Sequence, residues 1–209
     1  MKPLAILPLL ALLCGCAREV SPVSALALDR DDYGVRLTAE VVRQDTIEDI
    51  AAPAYLSATG RDLSEALDRL RDLLPGELYL SHAQVLLLSE GAAQKDMLPM
   101  ADLLCEMGDV RLSLRAAVVR DVDAAALLEN DDEVYALSEL LDRAAHEGEL
   151  PDMPLYRLCD VLHADGTAIL PALRVDDFGQ TAPAGTAVFA DARLSCYLDG
   201  GEIGGASHA

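Results

Sequence analysis

The sequence predicts an α+β fold, a mixed β-sheet with flanking helices and a small C-terminal hairpin. Three observations predict it. Val35, Leu37, Ala39 and Val41 alternate with Arg36, Thr38 and Glu40, which is the period of two of a strand with one face on a core. Leu63, Ala66, Leu67, Leu70, Leu73 and Leu74 recur at spacings of three and four, the period of an amphipathic helix. Val85-Leu86-Leu87-Leu88 shows no alternation, so both of its faces are expected to be covered, as in an interior strand. Strands therefore come both as hairpins and as units broken by helices, with no internal repeat, and that mixture selects α+β.

Taken in order, residues 1–15 read as an export signal. Lys2 supplies the charge and Pro3 to Leu13 the apolar run. That run is about half of the roughly 20 apolar residues needed to span a bilayer. It ends in Leu13-Cys14-Gly15-Cys16, which resembles a lipobox. The resemblance implies cleavage before Cys16, loss of Cys14 and lipidation of Cys16. Each buried methylene contributes about 0.8 kcal/mol, so two or three acyl chains on one residue anchor durably where a single chain does not.

Residues 16–199 are expected to form the domain. Val23 to Leu28 and the alternating strand from Val35 make a hairpin across an Asp/Gly turn. Asp29, Asp31, Gly34 and Glu40 fall at the first, third, sixth and twelfth places of a calcium loop, but Tyr33 stands where an oxygen ligand belongs. The flanks are strands rather than helices, so a plain acidic turn is expected and no metal site is assigned. Ala52 to Gly60 is small and polar, and Asp62 with Glu65 reads as a helix N-cap with its reciprocal partner. Pro75-Gly76 stops that helix, and Leu78 to His82 lead into the interior strand.

Met97 to Glu106 predicts a second helix, with Pro99 in the first turn, where a missing amide proton costs nothing. Val110, Leu112, Leu114, Ala116 and Val118 alternate with Arg111, Ser113 and Arg115, which predicts a strand solvated on one side. Glu129-Asn130-Asp131-Asp132-Glu133 precedes a helix with stripe Leu137, Leu140, Leu141 and Ala144. The acids there favour the positive end of the helix by about 0.3–1 kcal/mol and need no metal. Leu155 to Leu162 predicts a short helix, Ala168 to Val175 a strand and Asp177 to Gly185 a loop. Val188-Phe189 and Cys196-Tyr197-Leu198 flank a turn at Asp191-Ala192, and residues 200–209 form a flexible end.

Composition narrows the function. Apolar residues at 52% and charged residues at 25% describe a folded domain. A net charge of −20, from 16 basic against 36 acidic side chains, argues against nucleic acid as a partner, because that affinity comes from cations neutralising phosphates. It also argues against adsorption on anionic head groups, so the domain is expected to stand off the bilayer, tethered by lipid rather than adsorbed. Cys105, Cys159 and Cys196 remain after the signal; they form no C-x-x-C pair, and buried free thiols are the expected state. No G-x-S-x-G, Walker or Rossmann glycine pattern occurs, and His82, His146, His163 and His208 stand far apart, so no enzyme and no cofactor are expected. His82, where the chain enters the apolar strand, is the histidine of interest, as a structural or interface residue in a buried polar network.

Five stretches resemble the Ger(x)C family, the lipoprotein C subunits of spore germinant receptors, in its N-terminal domain. They are Arg18-Glu19-Val20 with the strand ending at Asp29; Thr59-Gly60 before Glu65-Ala66-Leu67; Leu78 to Leu88; Val110-Arg111-Leu112; and Gly185 to Phe189 with Leu194 and Tyr197-Leu198. Ala17 and Glu106 depart from the aromatic-acidic pair and the basic residue usual in that family. The resemblance implies a non-enzymatic subunit, lipid-anchored through Cys16 on the outer face of the cell membrane, the spore inner membrane. Its implied partners are integral-membrane A-type and B-type receptor subunits in nutrient-triggered germination. The resemblance covers the family's N-terminal domain, and the family's C-terminal domain is expected to be missing. The alternatives left open are an extracytoplasmic binding module for a small molecule and a truncated non-functional copy.

Overall fold

The computed structural model describes residues 20–44, 51–74, 76–130 and 135–198; the expected signal, Cys16, the acids 131–133 and the tail 200–209 lie outside them. A mixed sheet of nine strands runs in the order β3-β2-β1-β5-β6-β7-β8-β9, with β4 added beside β1. The elements are β1 (Val20–Arg30), β2 (Val35–Gln44), β3 (Ala51–Gly60), α1 (Leu63–Asp72), β4 (Glu77–Tyr79), a 3-10 turn (Leu80–His82), β5 (Val85–Ser89) and α2 (Glu90–Ala93). They continue with α3 (Leu98–Glu106), β6 (Arg115–Val119), α4 (Ala124–Leu128), α5 (Ala136–His146), α6 (Leu155–Asp165), β7 (Ala168–Val175), β8 (Thr181–Ala190) and β9 (Arg193–Leu198). This is the α+β architecture that the mixed periodicities predict.

The sheet centre is parallel, with β1, β5, β6 and β7 pointing one way. Antiparallel strands extend it on both sides, β2 and β3 beyond β1, and β8 and β9 beyond β7. Alternate residues of β5 feed two separate cores. Leu86 and Leu88 pack with α1, α3 and α6, through residues such as Leu67, Leu104 and Leu158. Val85 and Leu87 pack on the other face with α4 and α5, through Leu127 and Leu141. Cover on both faces is the physical reason why Val85 to Leu88 carry no polar residue.

The structure corrects the sequence reading in two places and extends it in two others. Ala52 to Gly60 belongs to an edge strand, β3, which pairs with β2 along its full length and carries Pro53 where an edge tolerates it. The alternation from Val110 to Val118 is not a half-solvated strand. Only Arg115–Val119 is extended, and it is buried on both faces because β5 and β7 flank it and helices cover both sides. Thr181 to Gly185 is not loop but the start of β8, so the turn shrinks to Asp176–Gln180, where the Asp176 carboxylate accepts from the Phe178 and Gln180 amides at 2.8 and 2.9 Å. Finally, the predicted C-terminal hairpin is present as β8 and β9, and because β8 pairs with β7 it also completes the main sheet. Its turn stands at Asp191-Ala192, both with positive φ (50° and 57°), as a two-residue turn that follows strand twist requires.

The cysteines also differ from expectation. Cys105 on α3 and Cys159 on α6 form a disulfide, and Cys196 is free and exposed. Sequence spacing carries no sign that these two helices lie side by side on the same face of the sheet. No described helix is long and apolar enough to cross a membrane.

Candidate functional site

A cleft of about 830 Å³ opens where β1 and β5 end and where β2 begins. In sheets with parallel strands, the carboxyl ends are where chains separate into loops and leave room for a ligand. Three glycines bring the walls together. A Cβ on Gly34 would lie 2.3 Å from the Gly60 carbonyl oxygen, one on Gly60 2.5 Å from the Ala66 nitrogen, and one on Gly91 2.5 Å from the Arg30 carbonyl oxygen. All three obstacles are backbone atoms, so no rotamer change relieves them.

Asp29, the last buried residue of β1, organises the floor. Its carboxylate accepts from the Ala124 and Ala125 amides at 2.7 and 3.1 Å, capping α4, and from Arg36 at 3.2 Å. Arg36 also donates to Asp123 at 2.7 Å. Burial opposes the Arg36 charge more than any other single influence, yet the hydrogen bonds and charges of Asp123 and Asp29 together raise its pKa above the ordinary arginine value. Its Nε is buried without a hydrogen-bond partner.

The other wall is the start of α1. Asp62 caps the helix by accepting from the Glu65 amide at 2.9 Å, as its sequence position predicts. The reciprocal contact goes elsewhere: the Glu65 carboxylate accepts from the Arg61 amide at 2.9 Å, the Arg61 Nε at 2.8 Å and Arg69 at 2.7 Å. Arg69 in turn donates to the Thr59 carbonyl at 2.7 Å, tying helix to strand. The hydrogen bond from Arg61, first among these influences, lowers the Glu65 pKa to about 2. A carboxyl whose folded pKa lies below its ordinary 4.5 stabilises the fold above that value and loses the contribution as pH falls towards 2. Acid titration of thermal stability is therefore expected to be shallower in Glu65→Gln than in the parent across that window. Superimposable curves would show that this contact contributes nothing.

At the far side, Glu90 accepts from the Tyr197 hydroxyl at 2.8 Å, connecting β9 to the cleft. Burial first, and Glu90 second, push the tyrosine pKa up. The cleft thus presents guanidinium groups from Arg30, Arg36, Arg61 and Arg69 beside carboxylates from Asp29, Asp31, Glu90, Asp121 and Asp123. In a chain with only 16 basic residues, four in one cleft form a local departure from the acidic surface. Such walls offer charges of both signs to a ligand-sized space, and Tyr33 and Val122 add exposed apolar surface at the same rim.

The residues singled out from the sequence lie elsewhere. Cys16 is outside the described residues. His82 sits at the opposite end of the sheet, exposed and not in a buried polar network, with its ring 5.3 Å from that of Tyr79. It sits there because the chain takes a 3-10 turn before β5, which turns the side chain outwards. His163 pairs with Asp102 at 2.7 Å on the surface, away from the cleft. The calcium-like spacing disperses. Asp29 caps a helix, Asp31 accepts from the Tyr33 and Gly34 amides within the turn, and Glu40 lies opposite Ala25, accepting from the Ser24 hydroxyl. Arg36, Arg61, Arg69 and Asp123 carried no functional signal in the sequence. The available hint was Asp29, a carboxylate closing an apolar strand.

Two of the stretches that carried the family resemblance, the strand ending at Asp29 and Thr59-Gly60 before α1, meet at this cleft. A family profile described as the spore germination protein N-terminal domain matches residues 18–175, from just before β1 to the end of β7. Comparison with curated proteins and with solved structures returns no match. The match covers most of the chain and all of the parallel centre of the sheet, so the chain belongs to the spore germination protein N-terminal domain family, and its role lies in spore germination.

Proposed function

We propose that the protein is a non-enzymatic lipoprotein subunit of a spore germinant receptor, held by lipid on Cys16 at the outer face of the spore inner membrane. It works there beside integral-membrane A-type and B-type subunits in nutrient-triggered germination. The observation that carries this reading is the family match over residues 18–175. The lipobox-like Leu13-Cys14-Gly15-Cys16 supports the anchor. The Cys105–Cys159 disulfide supports maturation outside the cytosol, since such bonds persist in oxidising compartments. Replacing Cys16 by Ala is expected to move the protein from membrane to soluble fractions and to impair nutrient germination. Normal germination with a soluble protein would overturn the reading.

A second reading, a binding module for a small molecule, is favoured by the cleft with its convergent charged groups. It is tested by a thermal-shift screen of small amines, carboxylates and phosphates, with Arg36→Met as control. A ligand that stabilises the parent and not the variant supports it, and a screen without any shift removes it.

A further inference from the structure

We propose that the amino end of the sheet lies against the bilayer interface and that the cleft faces away from it. This orientation rests on the lipid-anchor reading above. Only Ala17, Arg18 and Glu19 separate Cys16 from Val20, the first residue of β1. Four fully extended residues span at most about 14 Å, so the start of β1 is confined close to the lipid. From Val20, β1 runs to Arg30 at the cleft, about 33 Å away at roughly 3.3 Å per residue. A tether this short holds the start of β1 at the surface, and a β1 standing upright there carries Arg30 and the cleft to the far end of the domain.

The exposed side chains divide in the same sense. Of the nine large hydrophobic residues exposed among the described residues, six belong to the amino end: Val20, Leu73, Tyr79, Leu112, Tyr156 and Ile169. After Val20 itself, Tyr79 lies close to the tether, because β4 pairs with the first residues of β1, Tyr79 opposite Pro22. It packs against His82, and Tyr156 donates its amide to the Leu112 carbonyl at 3.1 Å, so Tyr156 and Leu112 are neighbours at this end. Tyrosine with aliphatic neighbours suits the boundary between head groups and acyl chains, where one part of the ring is dry and the hydroxyl wet. A net charge of −20 opposes spontaneous adsorption to anionic lipid. Charge alone predicts a domain that stands off the bilayer; the short tether holds this end at the surface against that repulsion.

The test uses the lipidated full chain in phosphatidylcholine vesicles, with Cys196→Ser and a nitroxide at Tyr79→Cys or Phe178→Cys. Sedimentation with the vesicles scores the anchor, and collision of the nitroxide with a water-soluble nickel complex scores orientation. The label at 79 is expected to lose most of its nickel accessibility relative to the Cys16→Ala protein, and the label at 178 to keep its own. A chain that does not sediment refutes the anchor and the orientation with it. A sedimenting chain with both labels open, or with 178 shielded, refutes the orientation alone. A label at 79 that is open on vesicles but shielded in native spore membrane assigns this end to a protein partner and overturns the lipid contact.

Discussion

Replacing Asp29 by Ala is expected to lower the stability of the fold by about 3–4 kcal/mol, read as a fall in urea midpoint at unchanged slope. The carboxylate has only 9% of its side-chain surface exposed and satisfies three donors, the Ala124 amide, the Ala125 amide and the Arg36 guanidinium. Without it, two amides at the start of α4 are left without an acceptor, and a buried donor so stranded costs roughly 1–3 kcal/mol. The ion pair contributes less. Arg36 is 41% exposed and keeps Asp123, so solvent screens much of its loss. Asp29→Asn retains one acceptor oxygen and no charge, and is expected to fall between parent and Ala. A loss below about 1 kcal/mol for the Ala variant would mean that α4 is capped by other means.

Loss of the Cys105–Cys159 disulfide is expected to cost about 2–4 kcal/mol. The bond closes a separation of 54 residues, and restricting so long a loop in the unfolded chain is the main source of the gain. It also ties α3 to α6 on one face of the sheet, where Leu104 and Leu158 share a core. Cys159→Ser and reduction of the parent are expected to converge on the same lowered melting temperature, and reduction is expected to leave the variant where it is. A parent whose melting temperature ignores reductant would show that the bond is absent in solution or adds nothing.

Several features that depend only on near neighbours were legible in the sequence. Asp62 is three residues from the amide it caps; the β1–β2 and β8–β9 turns need only their own few residues; β7 keeps its predicted bounds from Ala168 to Val175. The unbroken apolar run of β5 reported its own burial on two faces. The five stretches also sufficed to point to the germination family.

The tertiary structure alone decided what depends on which elements become neighbours. Ala52 to Gly60 is too small and polar to declare itself a strand, and becomes one because β2 offers an open edge. Arg115–Val119 reads as half-solvated until β5 and β7 enclose it. The disulfide depends on α3 and α6 lying side by side. The cleft depends on it most. Asp29 meets Ala124 across 95 residues because β1, β5 and β6 align in parallel, and parallel pairing needs long crossovers that leave no local pattern. Arg36, Arg61 and Asp123 look like ordinary surface charges until that alignment brings them together.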